Sequence, residues 1–143
     1  MGAINCDIQF SEVEQVKLGA DFFSNLGYSI YTEVPIFSAS ADMIIIDSNK
    51  NIQAIEFKLK NWKRAIKQVK NHSIVVDYIS ICILKPKKQK TRLEIEEHCS
   101  NEGIGLYYVD RQLDQVAIEQ VVSGNKTKTV WEVEKERLLE YIK

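Results

Sequence analysis

The stretch Ala41–Lys58, ADMIIIDSNKNIQAIEFK, decides how this chain folds. Two apolar runs, Met43–Ile46 and Ile52–Phe57, flank a polar break, Asp47-Ser48-Asn49-Lys50-Asn51. β-Branched runs bounded by Asp, Ser and Asn predict two strands joined as a hairpin. With 47–51 as the loop, Ile46 faces Ile52, and counting back along the ladder sets Asp42 opposite Glu56. Opposed residues of an antiparallel pair point to one face. Lys58, two residues beyond Glu56, falls on that face by alternation. The other positions are apolar on both sides: Ile44, Ile46 and Ile52 on one, Met43, Ile45, Ile55 and Phe57 on the other. Strands hydrophobic on both faces need cover on both, which predicts helices flanking a sheet.

Two carboxylates and an ammonium at one end of an apolar hairpin require a physical reason. Asp, Glu and Lys are rarely buried unless paired or bound to metal. Facing carboxylates repel, and a divalent cation relieves the repulsion. Mg²⁺ takes one or two carboxylates, keeps several waters and draws its remaining ligands from substrate phosphate. A lysine nearby can hold the attacking water or offset the charge that develops on phosphorus. The expected chemistry is metal-assisted phosphodiester hydrolysis.

Asp42, a gap of thirteen residues and then Glu56-Phe57-Lys58 resembles the D…(D/E)-x-K core of the PD-(D/E)XK nuclease superfamily, which includes restriction endonucleases, Holliday junction resolvases and repair exonucleases. Ala41 stands where the family's name has proline, a position that takes no part in the chemistry. The resemblance implies that Asp42 and Glu56 are metal ligands, with the Phe57 carbonyl as a third, and that Lys58 is the catalytic lysine. It implies Mg²⁺ as cofactor, with Mn²⁺ able to substitute, and DNA as partner.

Upstream, Ser11-Glu12-Val13-Glu14 has the spacing of a capping box, with Glu14 reaching back to the cap. The stripe Val16, Ala20 and Phe23, with Phe22 and Leu26 beside it, predicts a helix ending at Gly27. Glu14 is explained by the cap. Glu12 falls at the centre of the stripe, where an acid needs a partner. The resemblance offers a role, an extra acid on the first helix near the metal, filled by Glu12 with Glu14 second. Tyr28–Phe37 is expected as a strand, and Pro35 puts it at an edge or bends it before Asp42. The small polar segment Phe37-Ser38-Ala39-Ser40 could lie near substrate.

Downstream, Asn61 caps a helix from Trp62 to about Asn71, with Trp62, Ile66 and Val69 on its apolar face. Lys63, Lys67 and Lys70 form a separate stripe, and Arg64 and Gln68 an i, i+4 pair. Gln68 resembles a glutamine that several family branches place near the active site; a solvent-facing glutamine is the plain alternative. His72 sits at the helix end, where a cation suits the dipole, and is not read as a general base. Val75–Leu84 reads as a buried strand, broken in pattern only by Asp77. Lys85-Pro86-Lys87-Lys88-Gln89-Lys90 is a basic loop, either a solvated turn or a phosphate clamp. A helix over Leu93–Asn101, a strand over 105–109 and a short strand over Val116–Val122 follow. Strand-helix-strand steps with right-handed crossovers make the pairing there parallel. A terminal amphipathic helix, 129–143, packs on the core or makes a dimer contact.

The expected fold is therefore α/β: one domain over 1–143, in three layers, α/β/α, about a mixed sheet. The order αβββαβαβ matches the restriction-endonuclease-like core that the resemblance implies. At 45% apolar and 27% charged the composition is that of a globular protein. No apolar run reaches membrane-spanning length, MGAINCDIQF is not a signal peptide, and no membrane partner is expected. Cys6, Cys82 and Cys99 are odd in number and widely spaced, and read as reduced thiols of a cytoplasmic protein.

Net charge is −1, yet Phe57–Arg92 holds eleven Lys/Arg and one acid, leaving eight bases and nineteen acids elsewhere. That asymmetry is either a footprint for a polyanion or two halves attracting each other. As a footprint it places Lys60, Lys63, Arg64, Lys67, Lys70, Lys87 and Lys88 on nucleic acid. A homodimer would favour junctions or double-strand cuts. The competing function is a nucleic-acid-binding or protein-interaction module on the same fold, without catalysis. A small-molecule enzyme lacks support, since no glycine-rich phosphate loop is present.

Overall fold

The hairpin forms in the register counted from its loop. In a computed structural model describing residues 11–37, 39–112, 115–127 and 130–142, β2 (Ala39–Ile46) and β3 (Ile52–Phe57) pair antiparallel, Ile46 with Ile52 and Met43 with Ile55. The turn is built by Asp47. Its Oδ1 accepts the Asn49 and Asn51 N–H groups at 2.9 Å each, and Lys50 takes a left-handed φ of 65°. These side-chain bonds hold the Asp47 carboxyl below its ordinary range, despite some desolvation.

Around the hairpin run α1 (Glu12–Asn25) and β1 (Ser29–Ile36) before it, then α2 (Trp62–Lys70), β4 (Tyr78–Leu84), α3 (Gln89–Glu102), β5 (Gly105–Gln112), β6 (Gln115–Val122) and α4 (Glu132–Tyr141). The first eight elements give the expected αβββαβαβ order. The sheet order is β1-β2-β3-β4-β5-β6. β3, β4 and β5 are parallel, and the flanking pairs are antiparallel. β1 is an edge strand, where Pro35 costs the ladder little. Each face of the sheet carries its own core. Ile44, Ile52, Ala54 and Ile81 pack with Ala65 and Val69 of α2, Ile95 of α3 and Leu138 of α4. Met43, Ile45, Ile55 and Phe57 pack with Phe23 of α1. The architecture is three-layer α/β/α.

Details depart from the sequence reading. The inward line of α1 is Gln15, Gly19 and Phe23; Val16 and Ala20 flank it, and Leu26 is exposed. Gly19 is required by close approach, since a Cβ there would lie 2.7 Å from the Phe57 ring. β4 begins at Tyr78 rather than Val75. Asp77, 1% exposed, is held apart from it: Oδ2 accepts the Ile52 N–H at 2.8 Å, and the Lys135 ammonium of α4 lies 3.0 and 2.9 Å from its two oxygens. α3 starts at Gln89, four residues before the expected Leu93, so the basic loop is shorter than read.

The terminal helix spans Glu132–Tyr141, and its Leu138 packs on the core. Thr129 and Lys143, like Cys6 and Ser38, lie outside the described residues. Cys82 and Cys99 are buried core thiols. Burial raises both, Cys99 to about 12 with Glu102 and Glu96 adding. Among the described residues no helix is long and apolar enough to cross a membrane.

Candidate active site

Asp42 and Glu56 meet where the β2–β3 ladder ends, and each carboxylate closes the ladder with the other strand's backbone. Glu56 Oε2 accepts the Asp42 N–H at 3.0 Å. Asp42 Oδ2 accepts the Phe57 N–H at 2.8 Å. Side chains thus replace two backbone acceptors, fixing both acids across the strand gap. Glu56 is 3% exposed; Asp42 is partly buried. A carboxylate removed from water costs free energy unless donors compensate. For Asp42 the compensation is incomplete. Burial, with Glu56 and Glu33 adding, raises its carboxyl to about 6 against the pull of the Phe57 N–H and Lys58.

Lys58 lies one residue past the end of β3. Its N–H donates to the Cys82 carbonyl at 3.1 Å, and its ammonium turns to α1, 3.8 Å from Glu12 Oε1. Its charge still lowers the Asp42 pKa. Gln15, one turn on from Glu12 and fully buried, donates through Nε2 to the carbonyls of Lys58 and Cys82, 3.1 Å each. The first turn of α1 therefore bonds the Lys58 backbone through Gln15 and sets Glu12, exposed rather than inward, near its ammonium. Glu14 is exposed and placed at the cap: its N–H donates to the Ser11 hydroxyl at 3.2 Å.

Three residues around the site were given no part in it by the sequence reading. Gln15 is one; a polar residue on an inward line gives no hydropathy signal. Glu33 is the second. The β1–β2 register sets it beside Asp42, between the Thr32–Met43 and Val34–Ala41 pairs, with a positive φ of 53°. His72 is the third. Expected as a helix-end cation, it is instead 2% exposed, with Nε2 3.3 Å from Glu56 Oε2. Gln68, four residues earlier, is partly buried, and its Oε1 has no hydrogen-bond partner among the described residues.

The basic residues divide. Lys70 pairs with Glu102, and Lys85 with Asp110 and Glu119 at 3.5 and 3.2 Å; Glu119 chiefly raises the Lys85 pKa. To that extent the two charged halves do attract each other. Lys60, Lys63, Arg64, Lys67, Lys87 and Lys88 are exposed, and none forms an ion pair among the described acids. Lys63 Nζ rests 5.6 Å from the Trp62 ring centre, and Trp62 packs against the core. The loop carrying Lys87 and Lys88 is pinned by Arg92, whose Nη1 donates to the Pro86 and Lys87 carbonyls at 2.7 and 2.9 Å.

The donor set suits a hard divalent cation. Asp42 and Glu56 each commit one oxygen to a backbone N–H, and the other oxygen accepts no hydrogen bond among the described residues. The raised Asp42 pKa, chiefly from burial with Glu56 and Glu33 adding, marks a carboxylate whose charge a cation would stabilise. Oxygen donors select Mg²⁺ or Mn²⁺ over zinc. Among the described residues no three His, Cys, Asp or Glu are grouped to hold an ion. Two carboxylates are the protein donors available, a number Mg²⁺ commonly takes from a protein.

Among solved structures, the fold is similar to the SPO1766 protein of unknown function from Silicibacter pomeroyi, with a TM-score of 0.64 and 15% identity over 92% of this chain and 84% of that one. At that identity the likeness is one of fold. A repair endonuclease from Pyrococcus abyssi matches at a TM-score of 0.48 and 18% identity, over 73% of this chain and 49% of that chain. SfsA from Pyrococcus furiosus, solved with Ca²⁺, matches at 0.41 and 15%, over 78% and 60%. No protein-family model and no curated protein matches the chain.

Proposed function

We propose that this chain is a divalent-metal-dependent nuclease of the PD-(D/E)XK type, hydrolysing phosphodiester bonds of DNA. The observation that carries the reading is the reciprocal bonding of Asp42 and Glu56 across β2 and β3, which fixes two acids side by side at the end of a sheet. Asp42 and Glu56, with the Phe57 carbonyl, would hold Mg²⁺ or Mn²⁺, which would supply a Lewis acid for the phosphate and acidify a bound water. Lys58 offsets the charge that develops on phosphorus and orients the attacking water. Glu12 aims the Lys58 ammonium. Glu14 belongs to the helix cap, and Gln68 to the buried side of α2. A cytoplasmic setting agrees with the free buried thiols of Cys82 and Cys99.

Supercoiled, linear, single-stranded and four-way-junction DNAs incubated with Mn²⁺ test this reading. Cleavage by the parent and its loss in Lys58→Ala are expected; equal cleavage by both would exclude the assigned role. DNA is gripped through Lys60, Lys63, Arg64 and Lys67, with Lys87 and Lys88 further out. Replacing both Lys63 and Lys67 by Ala should weaken binding about equally for all sequences. The slope of log affinity against log salt should fall by about 0.9 for each phosphate no longer neutralised. Lys70→Ala should change the slope less, because Glu102 already engages that ammonium.

A second reading, a binding module on the same fold, draws on the internal partners that Lys58 and both carboxylates already have. In that case the DNA panel stays uncut while affinity and its salt slope are retained.

A further inference from the structure

We infer that His72 is a positioning residue for Glu56, holding one carboxylate oxygen so that the other is presented to the cation. The inference rests on the reading of Asp42 and Glu56 as a metal site. Among the described residues, the two polar groups that meet the Glu56 carboxylate converge on a single oxygen. Oε2 accepts the Asp42 N–H at 3.0 Å and lies 3.3 Å from His72 Nε2. Two donors on one oxygen fix the rotation of the carboxyl plane, which one alone would leave loose. They also leave Oε1 as the oxygen for an incoming ligand.

His72 is placed for this task alone. It follows the C-cap of α2, where its backbone N–H donates to the Val69 carbonyl at 3.0 Å. The ring is 2% exposed, and Nδ1 has no hydrogen-bond partner among the described residues. Among the described residues, the ring's side-chain hydrogen bonding is thus spent on Glu56. Burying an imidazole costs free energy unless it is hydrogen-bonded, and an apolar residue would fill the space between the helix end and the sheet more favourably. A carboxylate oxygen only accepts, so the proton is assigned to Nε2, the ring nitrogen that faces Glu56. Outer groups that orient a metal ligand set its affinity, commonly by 10- to 100-fold.

The test compares Mn²⁺ affinity, by calorimetry on the full chain, in the parent, Glu56→Gln, His72→Gln and His72→Asn. The glutamine amide reaches the place of the imidazole Nε2. The asparagine amide, one methylene shorter, reaches only that of Nδ1. Both are polar and similarly costly to bury, so a purely structural role would move them together. Expected are binding within about threefold of the parent in His72→Gln and a loss of roughly 10- to 100-fold in His72→Asn. Parent-like affinity in His72→Asn, or equal losses in both, overturns the role of His72 while the metal site stands. A parent that binds no Mn²⁺, or binding that survives Glu56→Gln, overturns the metal site and the inference with it.

Discussion

Asp42→Asn should make the metal-free protein more stable at neutral pH while abolishing DNA cleavage. The Asp42 carboxyl titrates at about 6 instead of its ordinary 3.8, chiefly because it is partly removed from water, with Glu56 and Glu33 adding. A carboxyl whose pKa is raised by folding binds its proton more tightly in the folded chain than in the unfolded one. Below pH 3.8 both states are protonated and the group is neutral toward stability. From there to about pH 6 the penalty grows, and above that it is constant. Undiscounted, the shift corresponds to roughly 3 kcal/mol at ~1.36 kcal/mol per pKa unit. Asp42 stays partly open to solvent, so about 1–2 kcal/mol is expected.

Asparagine removes this charge but retains an oxygen for the Phe57 N–H that Asp42 now accepts. Denaturant unfolding with a chelator present should therefore show Asp42→Asn ahead by about 1–2 kcal/mol at pH 7.5. The gain should disappear toward pH 4. A variant no more stable than the parent at pH 7.5 would count against a strained carboxylate. Cleavage should fall by about 10³-fold, since a metal supplies several kcal/mol of transition-state stabilisation. A gain in stability joined to a loss of function is the mark of a site held against its own electrostatics.

The second large effect concerns Asp77, distant from the chemistry. It is buried, accepts the Ile52 N–H at the start of β3, and receives the Lys135 ammonium of α4 on both oxygens. Asp77→Ala strands that ammonium and the N–H together. Removing one partner of a buried ion pair costs about 3–5 kcal/mol, and urea unfolding should show a loss of that size. The double variant Asp77→Ala, Lys135→Met removes both charges and should lose less than the two single losses added. A loss under about 1 kcal/mol in Asp77→Ala would mean that the pair is solvated and weak.

The hairpin and its register were legible because an apolar pattern on two faces tolerates no slip. Moving the strands by one residue would exchange every side chain between the two cores. The opposition of Asp42 and Glu56 followed from counting alone. The contact of the Lys58 ammonium with Glu12 did not, since it joins the residue after β3 to a separate helix. Gln15 and Gly19 escaped a reading based on hydropathy, one being polar and the other having no side chain to score. Their places are set by two carbonyls and by an aromatic ring that come from elsewhere in the chain. His72 escaped for a similar reason. Its helix ends where the sequence said, but only the packing of that end against the sheet brings the ring to Glu56. Glu33 was hidden because its proximity to Asp42 depends on the β1–β2 register, and no turn residues between those strands fixed it.

The most direct measurement is Mn²⁺ binding followed by electron paramagnetic resonance in the parent, Asp42→Asn and Glu56→Gln. A shared site requires tightly bound ion in the parent and loss of that ion in both variants, each of which stays folded. Ion retained in either variant would contradict joint ligation by Asp42 and Glu56, and so would a parent that binds none.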